Sequence, residues 1–90
     1  MTEASILSQA LGRSIAGERV AAGYSQRELA QATGISPEAI HRYEAGKRDI
    51  PIRALDRVAE VLELAPSDLL LAAEKRAGRA GHRRSTASRR

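Results

Sequence analysis

A short predicted helix at residues 36–45 carries polar side chains suited to hydrogen bonding with the bases of DNA. Pro37, Glu38, His41 and Arg42 share its outward face. Arginine most often recognises guanine through O6 and N7, and a carboxylate can accept a hydrogen bond from the amino group of cytosine. A helix also fits the major groove of DNA. These residue types on one face therefore make the helix a candidate for contact with base edges.

Two short helices joined by a tight turn would hold this face in place. A Ser-x-x-Glu capping box at residues 25–28 predicts the start of the earlier helix. Gly34 ends it, since glycine tolerates the positive φ that a sharp reversal requires. Ser36 caps the later helix, and Pro37 suits its first turn, where the missing N–H costs nothing. In such a pair the later helix can enter the major groove while the N-terminus of the earlier helix meets a phosphate.

Three further helices complete an all-α prediction of five helices in one small domain. The first spans residues 5–22, the fourth starts at Pro51 and the fifth covers about residues 66–77. Gly12 and Gly17 are expected to weaken the first helix, by about 1 kcal/mol each relative to alanine. The apolar residues at helical spacing are Ile6, Leu7, Ala10, Leu11, Ile15 and Val20 in the first helix, and Ile52, Leu55, Val58, Ala59 and Leu62 in the fourth.

The formal net charge of +4 is concentrated at the C-terminal end of the chain. Residues 75–90 hold seven basic residues and no acidic one, which leaves eight basic against eleven acidic residues, a net charge of −3, in residues 1–74. The Gly, Arg, Ser and Ala residues from Gly78 onward cannot bury a core. The sequence therefore predicts a domain at 1–77 and a disordered basic tail at 78–90. The positive charge of this tail favours a salt-dependent attraction to DNA, and its composition is equally compatible with RNA binding.

Several function classes are disfavoured by what the sequence lacks. Cysteine is absent, and His41 and His82 are too few and too far apart for a metal site. The sequence shows no pairing of a nucleophile with a base and no phosphate-binding loop, so we expect neither an enzyme nor a cofactor. It has no apolar run of the ~20 residues that a membrane helix requires, and no secretion signal. A cytoplasmic protein associated with the nucleoid is the corresponding expectation.

Several motifs fall in register with those of one known family. They consist of Leu11, Gly12 and Arg19, then Ser25, Gln26, Glu28, Leu29, Ala30, Gly34, Ile35, Ser36 and Ile40, and finally Glu44, Gly46, Pro51, Leu55, Ala59 and Leu62. With these residues, the segment 11–70 resembles the helix-turn-helix domain of the lambdoid phage repressor and Cro type, also called the XRE family. The resemblance implies a compact five-helix domain, similar to that of lambda repressor, that binds operator DNA, commonly as a dimer.

The resemblance also implies roles for individual residues. Base contacts are implied for Pro37, Glu38 and Arg42, and a base contact is predicted also for His41, which lies close by. An internal ion pair between Arg19 and Glu44 would tie the first helix to the end of the third. Phosphate contacts are predicted for Gln26, Ser36, Lys47, Arg48 and Arg53, whereas Arg57 is expected to be only solvated. For Glu38 the favourable interaction of an acid with the helix N-terminus is an equal alternative to a base contact.

Two functions remain open from the sequence. The leading one is a transcriptional regulator that binds double-stranded DNA in a sequence-specific manner. The other is an antitoxin-like or adaptor protein whose main role is to bind a protein partner, which the mildly acidic folded part supports. Leu69, Leu70 and Leu71 exceed what one face of the fifth helix can bury. They favour a symmetric homodimer with its two reading helices about one DNA turn, ~34 Å, apart.

Overall fold

The computed structural model describes residues 5–78 as an all-α fold, as predicted. Its five helices are α1 Ile6–Ala21, α2 Gln26–Thr33, α3 Pro37–Glu44, α4 Ile52–Val61 and α5 Pro66–Ala77. Gly78 is the C-cap of α5. The rest of the predicted basic tail, residues 79–90, lies outside the described residues, as do residues 1–4. Across residues 5–78, every helix is too short or too polar to cross a membrane.

Local hydrogen bonds set the bounds of α2 and α3. The Ser25 hydroxyl accepts from the backbone N–H of Glu28 at 2.9 Å, and the Ser25 N–H donates to the Glu28 carboxylate at 2.8 Å. These two bonds form the predicted capping box. Gly34 ends α2 at φ 77°, in the left-handed region that favours glycine. The Ser36 hydroxyl then accepts from the N–H of Ala39 at 3.1 Å and so begins α3.

All five helices contribute to one aliphatic core. Its buried members are Ala10, Leu11, Ile15, Leu29, Ala30, Ile40, Leu55, Val58, Ala59, Leu62, Leu69 and Ala73. Helix α3 contributes Ile40 alone to this set, and Ile40 is 1% exposed. That single anchor leaves the opposite face of the short helix directed away from the core.

A polar link also fixes α5 against α1. The buried hydroxyl of Ser14 donates to the backbone carbonyl of Ala10 at 3.1 Å and accepts from Arg76 Nε at 2.9 Å. The Ser14 hydroxyl thus donates its hydrogen within α1 and uses its oxygen to accept a hydrogen bond from the last turn of α5. Because the two residues are 62 positions apart, no local sequence pattern indicates this contact.

The structure corrects three members of the predicted apolar stripes. Ile52 is 77% exposed, so its assignment to the core stripe of α4 is wrong. Ile6 and Val20, which also fall at helical spacing, are 67% and 65% exposed. Each of the three lies in the first or last turn of its helix, where the neighbouring helices do not cover it. Helical periodicity alone cannot indicate where that coverage ends.

Candidate nucleic-acid interface

The outward face of α3 is open to solvent. Pro37, Glu38, His41 and Arg42 are all exposed, whereas Ile40 on the opposite face is buried. The structure therefore brings together the four residues for which base contacts were predicted, on a face that other parts of the described chain do not cover. The contacts themselves stay a prediction.

Two of these four residues face each other across one turn of α3. Arg42 Nη2 lies 3.8 Å from Glu38 Oε2, and the side chains of Arg42 and Glu38 are 51% and 78% exposed. An exposed pair at this spacing contributes only about 0.3–0.5 kcal/mol to stability. The pair matters because it places the Arg42 cation and the Glu38 anion side by side on the exposed face of α3.

The C-terminal end of α3 is fixed by a buried carboxylate. Arg19 Nε donates to Glu44 Oε2 at 2.7 Å, and Arg19 Nη2 donates to Glu44 Oε1 at 3.0 Å. Arg19 Nη1 also donates to the carbonyl of Tyr24 at 2.8 Å. Only 5% of the Glu44 side chain and 14% of the Arg19 side chain are exposed. The residues implied to form an ion pair therefore form one, in bidentate geometry, between α1 and the last residue of α3.

Gln26 joins the same network, which the sequence did not indicate. Its Nε2 donates to Glu44 Oε1 at 2.9 Å, so one carboxylate holds α1, α2 and α3 together. An amide nitrogen carries two hydrogens. One of them is used by Glu44, and the other can still donate to a phosphate at the N-terminus of α2. The phosphate contact of Gln26 stays a prediction.

The other residues predicted to contact phosphates surround α3. Ser36, Lys47, Arg48 and Arg53 are all exposed. Ser36 immediately precedes α3, Lys47 and Arg48 follow it, and Arg53 lies in the first turn of α4. The backbone N–H of Lys47 donates to the carbonyl of Arg42 at 3.0 Å, which continues the end of α3 into the loop. Polar side chains thus lie at both ends of the exposed face.

The turn between α2 and α3 is held by α4. Arg57 Nη1 donates to the backbone carbonyl of Thr33 at 3.1 Å, so the expectation that Arg57 is only solvated is wrong. The carbonyls in the last turn of a helix have no partner within the helix and need another donor. Within the turn, the Thr33 hydroxyl donates to the Leu29 carbonyl at 2.8 Å and accepts from the N–H of Ile35 at 3.2 Å.

Gly12 allows α1 to approach the C-terminal end of α3. A Cβ at Gly12 would overlap the carbonyl oxygen of Tyr43 and lie 3.0 Å from that of Glu44. The sequence indicated only that Gly12 would weaken its own helix. The structure shows a second and opposite contribution, since the absent side chain lets α1 pack against the two residues that end α3.

We expect Gly12→Ala to lower the free energy of unfolding by about 1–3 kcal/mol, because the clash is with backbone atoms that no rotamer change can move. Gly17→Ala is the matched control, since its Cβ would meet only Arg76 Nη2 at 3.5 Å, an ordinary contact. It is expected to be neutral or stabilising by up to ~1 kcal/mol. Urea unfolding followed by circular dichroism measures both variants. Equal stability of the two would contradict the packing role of Gly12.

The fold and this surface correspond to a known family. Residues 15–69, more than half of the chain, match the helix-turn-helix family model. The chain belongs to the XRE-type helix-turn-helix family of DNA-binding transcription regulators. The resemblance inferred from the sequence is thereby confirmed. A comparison with curated protein sequences finds no match.

Several solved structures share this fold. The clp gene regulator ClgR from Corynebacterium glutamicum has a TM-score of 0.78 at 27% identity, over 91% of this chain and 87% of that one. SinR, the master regulator for biofilm formation, was solved in complex with DNA. Its TM-score is 0.64 at 31% identity, over 67% of this chain and 97% of its own. The restriction-modification controller protein C.AhdI from Aeromonas hydrophila has a TM-score of 0.66 at 26% identity, over 68% and 92% of the two chains.

Proposed function

We propose that this chain regulates transcription by binding a specific sequence of double-stranded DNA, with α3 in the major groove. The observation that carries the proposal is the exposed face of α3 on a helix fixed at both ends. Ile40 anchors its buried side, Arg57 holds the turn before it and Glu44 ties its last residue to α1 and α2. A helix held in this way can present side chains to base edges in a defined register.

The proposed roles follow from the position of each residue around α3. Arg42 donates to guanine, and Pro37, Glu38 and His41 line the same face. Phosphate contacts come from Gln26, Ser36, Lys47, Arg48 and Arg53. SinR, which shares this fold, was solved in complex with DNA, and this supports DNA as the ligand of this domain. A protein that regulates promoters in this way acts in the cytoplasm, at the nucleoid.

A homodimer is part of the same proposal. Leu69 is 1% exposed, Leu70 is partly buried and Leu71 is 50% exposed, so α5 presents apolar surface that its own domain does not cover. Leu7 of α1 lines the same surface groove as Leu70 and Leu71. Two copies joined there would bind two half-sites related by two-fold symmetry.

Selection of binding sites from random duplexes by the full-length chain tests the proposal. We expect one enriched sequence, present as an inverted repeat with half-sites about 10 base pairs apart, centre to centre. A chain ending at Gly78 serves as the comparison, because α5 and its cap are retained. It should enrich the same sequence while its affinity for unrelated DNA falls, since residues 79–90 carry five arginines.

The alternative function gives a different result in the same experiment. If no duplex is enriched and a protein co-purifies with the chain, the result supports the antitoxin-like or adaptor function and contradicts the proposed function. Enrichment of a single half-site would retain sequence-specific DNA binding and contradict the homodimer.

A further inference from the structure

We propose that a groove beside the turn between α2 and α3 binds a small organic anion with an apolar body, and that this anion releases the chain from DNA. The groove is lined by Ile35 of the turn, by Pro51 just before α4, and by Arg53, Ala54 and Arg57 of α4. It encloses about 520 Å³, within the roughly 300–1,000 Å³ of small-molecule sites. The binding site stands independently of the proposed function, whereas the release from DNA rests on it.

Two like charges on one face of α4 suit the groove to an anion. Arg53 and Arg57 are four positions apart and both line the groove, so their side chains lie on the same face of the helix. Like charges at this spacing repel each other and slightly destabilise a helix. Neither arginine forms an ion pair within residues 5–78, and none of the described residues that line the groove is acidic. A bound anion therefore relieves a repulsion that this part of the chain leaves uncompensated.

Arg57 is fixed at the groove by a bond that leaves most of its donors unused. Its Nη1 donates to the backbone carbonyl of Thr33 at 3.1 Å, which uses one of the five N–H groups of a guanidinium. A Cβ at Gly34 would lie 3.3 Å from the same Nη1, a tight contact, so the glycine leaves room beside the guanidinium. An arginine that is already oriented loses less conformational freedom when its other N–H groups bind a carboxylate or a phosphate.

The rest of the groove wall is apolar. Ile35 and Ala54 are half-buried, and Pro51 is exposed. Covering these side chains favours a ligand whose uncharged end is a hydrocarbon. A phosphate of the DNA backbone can pair with Arg53, but it has no hydrocarbon end to cover this wall. Two guanidinium groups beside an apolar wall therefore fit a small carboxylate or phosphate ester with an aliphatic or aromatic body.

Occupation of the groove opposes DNA binding through Arg53. In the proposed function Arg53 contacts a phosphate, and a guanidinium paired with the ligand is no longer available for that contact. When two ligands compete for one cation, each lowers the affinity of the other by the same factor. Because a phosphate contact carries no sequence information, the anion lowers the affinity for all duplexes to a similar extent.

NMR titration of the full-length chain with three probes at constant ionic strength tests the site. Sodium hexanoate has both the charge and the hydrocarbon body, hexan-1-ol has the body alone, and sodium phosphate has the charge alone. We expect hexanoate to shift the backbone amide signals of Gly34, Ile35 and Ala54 saturably, with a Kd of about 1 mM for a ligand of its size. Hexan-1-ol and phosphate should bind at least about tenfold more weakly.

Three variants separate the groove from a general effect of charge. Arg53→Gln removes one cation, leaves the bond between Arg57 and Thr33 in place, and should weaken hexanoate binding at least about fivefold. Ala54→Met fills the groove, keeps both arginines, and should weaken hexanoate binding to a similar degree. Arg13→Gln makes the same charge change on the exposed surface of α1 and should alter the Kd by less than about twofold. Circular dichroism of each variant verifies that the fold is intact.

Fluorescence anisotropy tests the release from DNA. It uses two duplexes of equal length and base composition, the duplex selected by the wild type and a scrambled version. We expect hexanoate at about 10 mM, compared with the same concentration of sodium chloride, to weaken binding to both duplexes about three- to tenfold. Ala54→Met keeps every residue proposed to contact DNA, and its affinities should change by less than about twofold on the same addition.

Saturable shifts with hexanoate alone support the site. Equal binding of phosphate would reduce the groove to a contact for the DNA backbone, and equal binding of hexan-1-ol would remove the role of the arginines. Either result overturns the proposal, as does the absence of any shift. Changes in the same amide signals on dilution without a probe would place a second copy of the chain in the groove and also overturn it.

The two experiments keep the site and the proposed function apart. Hexanoate binding that leaves both DNA affinities unchanged overturns the release from DNA. If the wild type shows no preference between the two duplexes without hexanoate, the proposed function fails, while the NMR titration still decides whether the groove binds the anion.

Discussion

Replacing Glu44 with alanine is expected to lower the free energy of unfolding by about 3–5 kcal/mol. Its side chain is 5% exposed and accepts three hydrogen bonds, two from Arg19 and one from Gln26. Removing the carboxylate leaves the Arg19 guanidinium, itself 14% exposed, without its charge partner. Breaking one side of a buried ion pair is costly because the remaining charge stays desolvated. In a domain of this size such a loss lowers the melting temperature by more than about 10 °C.

Thermal and urea unfolding of three variants tests whether this loss comes from the network. Glu60→Ala, which removes an exposed carboxylate from α4, is expected to change stability by less than about 0.5 kcal/mol. Arg19→Ala combined with Glu44→Ala should cost much less than the sum of the two single changes, because neither charge is then left alone. A melting temperature of Glu44→Ala equal to that of the wild type would contradict a stabilising role for the ion pair.

The helices around the candidate site could be predicted from sequence because their signals are local. The capping box at residues 25–28, the left-handed Gly34 and the cap at Ser36 each depend on residues within four positions of one another. Such signals need no knowledge of the remaining chain. They fix where α2 ends and α3 begins, and therefore which side chains share the outward face of α3.

Contacts between distant residues could not be predicted in the same way. Gln26 and Glu44 are 18 positions apart, and Arg57 bonds a backbone carbonyl 24 positions before it. Every residue carries a backbone carbonyl, so the sequence does not indicate which carbonyl a distant arginine will bond. The packing role of Gly12 could not be predicted either. It depends on how closely the carbonyls of Tyr43 and Glu44 approach Gly12, and not on the helix propensity of glycine. The error at Ile52 has the same origin, since periodicity does not reveal which neighbour covers a helix end.

The largest effect on DNA binding is expected from Arg42→Ala. A bidentate arginine–guanine contact contributes about 1–3 kcal/mol of discrimination, so affinity for the selected duplex should fall about 5- to 150-fold. Preference at the base pair that Arg42 contacts should relax at the same time. The Arg42 side chain is 51% exposed, and its pair with Glu38 spans 3.8 Å. We therefore expect the free energy of unfolding to change by less than about 0.5 kcal/mol.

Arg48→Ala is the matched control, because it removes the same charge from an exposed position in the loop after α3. A phosphate contact carries no sequence information, so this change should weaken binding to selected and scrambled duplexes alike and reduce the salt dependence by about one unit. Fluorescence anisotropy with both duplexes over a range of salt concentrations distinguishes the two patterns. If Arg42→Ala weakens both duplexes equally, as expected for Arg48→Ala, Arg42 contacts the backbone and base recognition must come from another residue of α3.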